Sequence, residues 1–120
     1  MRRDEPRQRS EPRQYEVWWA NLELPAGRRP VLVLHRDEAA LFLSRLIVVE
    51  ITTRLLPSPR VVRLGRAEGL PRESVANFDN LQAVRLSSFL ERIGVVSSRR
   101  IVELKRALGR ALLWDELTDL

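Results

Sequence analysis

Two short apolar runs, Val31 Leu32 Val33 Leu34 and Leu46 Ile47 Val48 Val49, constrain this chain more than any other feature. Both are dense in branched side chains and too short for a stable helix, the pattern of strands buried on both faces. With their neighbours they predict central strands over residues 30–35 and 46–52. Upstream, Glu16 Val17 Trp18 Trp19 Ala20 Asn21 Leu22 is rich in β-forming residues and is stopped by Leu24 Pro25 Ala26 Gly27, which predicts a first strand. Residues 37–44 fit a short helical turn with Asp37 as its cap. After Pro57 Ser58 Pro59 a strand over residues 60–64 ends in Gly65, and a loop of glycine and proline runs to Pro71. Further short strands fit residues 74–77, 81–85 and 92–96.

The period then changes. Ser97 is placed to cap a helix in which Ile101, Leu104, Leu108, Ala111 and Leu112 recur at three- and four-residue steps. Arg99, Glu103, Arg106 and Arg110 form the opposite face. Many short strands, tight loops and one C-terminal α-helix predict a mainly β fold: a small, partly open β-barrel, since closing a sheet leaves few exposed edges. At 120 residues the chain builds one core. Residues 1–13 hold two prolines and five arginines with no large apolar group beyond Met1, so they predict a disordered basic tail, with a single domain over residues 14–120.

Several function classes fall away. There is no cysteine, which excludes disulfides, thiolate metal sites and thiol nucleophiles and fits a reducing, cytoplasmic setting. No apolar run approaches the roughly 20 residues that span a bilayer, and no apolar segment follows the basic start, so neither membrane insertion nor secretion is expected. One histidine cannot run a two-histidine ribonuclease mechanism, and no His, Asp and Glu spacing suggests a metal. Neither phosphate-binding nor dinucleotide glycine motifs occur, so no cofactor is implied. Net charge is +5, and all but Lys105 of the 21 basic residues are arginines. Arginine suits phosphate and base edges, which tilts the partner toward nucleic acid, although solubility or a GC-rich coding sequence gives the same bias.

Two polar clusters remain, both at strand ends. Arg28 and Arg29 precede the second strand, and Thr52, Thr53 and Arg54 end the third, so antiparallel pairing brings a guanidinium and a hydroxyl to one rim. An ordinary solvated rim has the same composition. Trp18 and Trp19 face opposite sides of their strand, one toward the core and the other free to stack on a base or cover a subunit contact. Asn77, Asp79 and Asn80 are turn formers, and Asn77 and Gln82 are also candidate RNA contacts. Glu50 shares a face with Thr52 and is a candidate to orient Arg29. His35 lies six residues from Arg29, about 20 Å along a strand at ~3.3 Å per residue, and reads as a surface or interface residue.

The run Glu16 Val17 Trp18 Trp19 Ala20 Asn21 Leu22, then Gly27 Arg28 Arg29 Pro30 Val31, then Ile51 Thr52 Thr53 Arg54, resembles the MazF/PemK toxin ribonucleases. Glu68 Gly69 Leu70 Pro71 through Leu81 Gln82 resembles the family's central loop and strand, and the likeness extends from residue 15 to about 113. It implies an SH3-like barrel of the Kid/CcdB type and a homodimer. It also implies sequence-selective cleavage of single-stranded RNA, without metal or cofactor, and inhibition by a cognate antitoxin. The family's catalytic arginine and threonine fall on Arg29 and Thr52; Arg28, Thr53, Arg54, Trp19, Asn77 and Gln82 are the candidate RNA-binding residues. Three departures stand out. Gln14 Tyr15 Glu16 replaces an opening Arg-Gly-Asp, the loop before Arg28 is short, and His35 stands where a serine is frequent. Two other functions compete: a CcdB-like toxin of the same fold acting on a protein, and a non-catalytic RNA-binding barrel.

Overall fold

The computed structural model of the protein describes residues 11–120. The strands are β1 (Glu16–Asn21), β2 (Arg28–Val33), β3 (Arg45–Thr52), β4 (Val61–Leu64), β5 (Ser74–Arg85) and β6 (Phe89–Val95); the helices are α1 (Ala39–Phe42), α2 (Ile101–Leu112) and α3 (Asp115–Thr118). All six strands form one antiparallel sheet in the order β4-β5-β3-β2-β1-β6. The two apolar runs sit in its middle and are apolar on both faces. Leu32, Val49 and Ile51 point to a core shared with Val17, Phe78 and α2. Val31, Val33, Leu46 and Val48 point the other way, onto Trp18, Ala20 and Val84.

Helix α2 covers the first of these cores. Ser97 accepts a hydrogen bond from the Arg99 N–H and caps a 3-10 turn (Ser98–Arg100) that leads into it. Leu104 and Ala107 are buried, with Ile101, Leu108 and Ala111 packed beside them. Leu112, expected on that stripe, is exposed, and Ala107 fills the position nearer the sheet.

The sheet curls until its two edges meet. β4 continues into a 3-10 turn (Arg66–Glu68) and Gly69, and this segment lies against β6. Two glycines make the approach possible. Gly69 has φ 89°, and a Cβ there would sit 2.5 Å from the Ile93 carbonyl oxygen; a Cβ on Gly94 would collide with the Glu68 carbonyl oxygen. Arg100 pins the seam, donating to the Glu68 carboxylate (3.2 Å) and the Arg63 carbonyl (2.8 Å). The result is the partly open barrel with a C-terminal helix that the sequence implies.

Local boundaries differ where turn chemistry competes with pattern. Residues 74–77 and 81–85 are one strand, not two, because β5 bulges at residues 78–80 and then resumes pairing with β3, with Glu50 opposite Asn77 and Val49 opposite Leu81. β6 begins at Phe89, earlier than expected, since Phe89 packs edge-on against Trp18 (5.9 Å between centroids). Asp37 does not cap α1; Glu38 takes that place, and the Asp37 carboxylate accepts the Gln14 N–H at 3.0 Å. The first ten residues of the expected tail lie outside the described residues. Residues 11–13 are packed instead, with Pro12 buried and the Arg13 N–H donated to Glu16.

The seam gives a test. Gly94→Ala is expected to lower stability by about 1–3 kcal/mol, because a methyl must be forced between two backbones. Gly65→Ala, where the nearest heavy atom is 3.9 Å away, is expected to leave the denaturation midpoint nearly unchanged. Equal midpoints for the two variants would show that the seam is loose.

Candidate active site

β2 and β3 pair at Val31 with Glu50, Leu32 with Val49 and Val33 with Val48. Continued two residues further, this register sets Arg29 opposite Thr52 with both side chains on one face. The pairing stops at Val31 because the next residue is Pro30, which has no N–H to donate. Between β2 and β3 the ladder is thus missing where the two polar side chains stand.

A pocket of about 370 Å³ opens at this end. β1 and β2 contribute Trp19, Arg28, Arg29 and Pro30; Ile51 and Thr52 come from β3 and Thr53 follows it, and Leu70, Pro71 and Arg72 lie in the loop that leads to Ser74 at the start of β5. The structure therefore brings together Arg29, Thr52, Arg28, Thr53 and Trp19. Arg28 lies over the Trp19 ring, 4.7 Å from its centroid, because both side chains point to the opposite face from Arg29. Trp18, one residue earlier, is buried and donates its indole N–H to Glu16 at 2.9 Å.

Three candidates stand away from the pocket lining. Arg54 meets the site through its backbone, its N–H donating to Thr52 Oγ1 at 3.1 Å. Asn77 uses its side-chain oxygen to accept the Asp79 N–H (3.0 Å) within the β5 bulge. Gln82 donates its amide to Glu50 at 3.3 Å. Arg72 and Ser74 were missed in the sequence; a proline-flanked loop shows no periodicity that could assign a side chain to a pocket. His35 is also no plain surface residue, since its Nδ1 accepts the Ile47 N–H at 2.7 Å and carries the connection of β2 to β3 past the last strand pair. At the departure from Arg-Gly-Asp, Tyr15 itself takes the left-handed backbone (φ 70°). Glu16 is buried there, bonded to Trp18 and to Arg92 at 2.9 Å.

The arginines divide into two kinds. Arg100 spends its donors on Glu68, Glu103 and the Arg63 carbonyl, and its affinity for the proton is raised chiefly by the hydrogen bond with Glu103. Among the described residues Arg29 has one ion pair, with Glu50 at a long 4.0 Å, and its Nε is buried without a hydrogen-bond partner. A permanent cation with a third of its side chain exposed and no short ion pair has the chemistry to receive an anion. Thr52 complements it. Its oxygen already accepts a backbone N–H, which leaves the hydroxyl proton to donate. Among the described residues, no group of three metal-ligating side chains gathers here or elsewhere.

The family model for PemK-like, MazF-like toxins of type II toxin-antitoxin systems matches residues 13–112. The chain belongs to the PemK/MazF family. It is 35% identical over 103 residues to the probable endoribonuclease MazF5 of Mycobacterium tuberculosis, across 84% of this chain and 93% of that relative. The solved toxin MazF-mt6 of M. tuberculosis superposes with a TM-score of 0.76 at 28% identity, covering 81% of this chain and 95% of the toxin. A mycobacterial endoribonuclease in complex with its cognate antitoxin shares the fold, with a TM-score of 0.74 at 21% identity over 86% of this chain and 96% of that one. The matched span contains every residue of the PemK/MazF chain's pocket and ends before α3.

The two kinds of arginine predict unequal stability effects. Arg100→Ala strands the buried Glu68 carboxylate and is expected to cost about 1–3 kcal/mol in chemical denaturation. Arg29→Ala is expected to cost less than this, because its pair with Glu50 is long, at 4.0 Å, and that carboxylate keeps partial exposure and the Gln82 amide. A larger loss for Arg29→Ala would make it a structural residue.

Proposed function

We propose that this chain is the toxin of a type II toxin-antitoxin pair, an endoribonuclease that cuts single-stranded RNA with sequence preference. The observation that carries this reading is Arg29, an unsaturated cation facing the Thr52 hydroxyl across a cleft kept open by Pro30. In the proposed reaction the ribose 2′-oxygen attacks the adjacent phosphorus and the bond to the 5′-oxygen breaks. One proton passes in net from the 2′- to the 5′-oxygen, leaving a cyclic phosphate upstream and a 5′-hydroxyl downstream. Arg29 donates to the phosphoryl oxygens as their charge grows, and Thr52 adds its hydroxyl proton, both interactions strongest in the transition state. RNA supplies its own nucleophile, so these residues suffice without a metal or an organic cofactor. Arginine keeps its proton in protein settings and acts here as an electrostatic group rather than a base.

Substrate binding falls to the surrounding lining. Trp19 and the Arg28 guanidinium over it offer a cationic stacking surface for a base next to the scissile phosphate. Arg28, Thr53 and Arg72 at the rim, with Arg54 beside them, suit the RNA backbone. As a toxin of this family the protein works as a homodimer in the cytoplasm and is held by a cognate antitoxin protein. The family match and the antitoxin complex of a fold relative support the antitoxin as partner. Among the described residues no helix is long and apolar enough to cross a membrane.

Arg29→Ala and Thr52→Ala are each expected to lower kcat/KM on single-stranded RNA by about 10²- to 10³-fold while the protein stays folded at the assay temperature. End-mapping of the wild-type products should find the cyclic phosphate and 5′-hydroxyl. Intact mixed-sequence RNA after prolonged incubation with wild-type protein would sink the reading. Trp19→Ala is expected to act on KM, raising it about 5- to 100-fold for a lost stacking contact of roughly 1–3 kcal/mol, with kcat changed less.

A further inference from the structure

Glu50 differs from the two buried acids among the described residues, Glu16 and Glu68. Glu16 and Glu68 each accept a backbone N–H, from Arg13 and Gly65, and each holds an arginine, at 2.9 and 3.2 Å. Those bonds complete turns and the barrel seam. Glu50 sits mid-sheet on β3, with 16% of its side chain exposed, and takes neither kind of bond. Its Oε1 lies 4.0 Å from Arg29 Nη1 on β2, and its Oε2 accepts the Gln82 amide at 3.3 Å from β5. Three adjacent strands thus carry one line of side chains, Gln82–Glu50–Arg29. The strand registers put all three on the face of Val31 and Val48, whose burial supplies an apolar floor.

A carboxylate partly removed from water, without backbone donors, is costly unless a charge answers it. Among the described residues, the one cation paired with Glu50 is Arg29. The distance is long for a salt bridge, so the pair restrains the guanidinium without consuming its donors. Gln82 fixes the carboxylate from the opposite side, which limits the directions in which Arg29 can swing.

We propose that Glu50 and Gln82 form a positioning clamp that holds the Arg29 guanidinium aimed at the scissile phosphate, Glu50 setting its orientation and Gln82 setting Glu50. This rests on the ribonuclease reading above. It also assigns Gln82 to the site's interior support rather than to RNA. Glu50 is negative, so if it acted only through its charge on RNA, its neutralisation would lower KM and leave kcat intact. A clamp predicts a different split.

The experiment is a double-substitution cycle on the full chain with single-stranded RNA of the mapped cleavage sequence. Glu50→Gln, which keeps shape but not charge, should lower kcat about 10- to 100-fold with KM equal to or below wild type, by analogy with the loss of other groups that orient a reacting side chain. Glu50→Asp should recover part of that loss. Gln82→Ala should lower kcat in the same sense, and the double variant should fall little below Glu50→Gln alone, since both act through one link. Wild-type kcat in Glu50→Gln, a change confined to KM, or fully additive losses would each overturn the clamp. If Glu50→Gln fails to fold, Gln82→Leu leaves the carboxylate in place and decides the matter: reduced kcat at constant KM supports the clamp, and unchanged kcat refutes it. An independent readout separates this proposal from the ribonuclease reading. The Arg29 Nε–H resonance in the free protein should show restrained motion in wild type and the mobility of exposed arginines in Glu50→Gln. Identical mobility in both would overturn the clamp whether or not RNA is cut.

Discussion

The pairing of β2 with β3, and the residue at which it ends, governs everything at the functional end of this protein. Val31 opposite Glu50 fixes the alternation of both strands, and from that one register Arg29 and Thr52 must share a face. A slip of one residue in either strand would put Arg29 and Thr52 on opposite faces of the sheet. Pro30 then ends the ladder. A residue with an N–H at that position could extend the pairing and narrow the cleft; proline makes the opening a property of the backbone itself.

Arginine abundance serves two separate ends. Arg92, Arg100 and Arg60 are bound to Glu16, to Glu68 and Glu103, and to Asp79, at distances of 2.9–3.2 Å. These pairs tie β6 to β1, the helical cap to the barrel seam, and β4 to the β5 bulge. Arg28 and Arg29 have no such short ion pair and line the pocket. The difference arises from supply. Acids stand beside the first group, whereas the pocket lining holds no carboxylate, so its positive charge stays available to a polyanion.

The parts legible in the sequence were those with a strong local signal. β1 to β3 follow from runs of β-forming and branched apolar residues, α2 from three- and four-residue steps, and the convergence of Arg29 with Thr52 from antiparallel pairing of adjacent strands. What stayed hidden depends on groups far apart in the chain. Asp37 looks like a helix cap until Gln14 reaches its carboxylate. The break at Asn77 to Asn80 looks like a turn, and only the renewed pairing of Leu81 with Val49 reveals one bulged strand. Gly69 and Gly94 are separated by many residues and only the curled sheet shows that they face one another. The contribution of residues 70–74 to the pocket was invisible for the same reason.

The alternation of β1 also separates two of the three indoles, and the third, Trp114, stands at the start of α3. Trp18 is sealed in against Phe89 with its N–H on a carboxylate, Trp19 lines the cleft under a guanidinium, and Trp114 is half in solvent. Their emission should differ in colour and in access to quenchers. The protein therefore carries its own optical gauge, in which one chromophore reports on occupancy of the cleft, a second on integrity of the interior, and a third on the C-terminal turn.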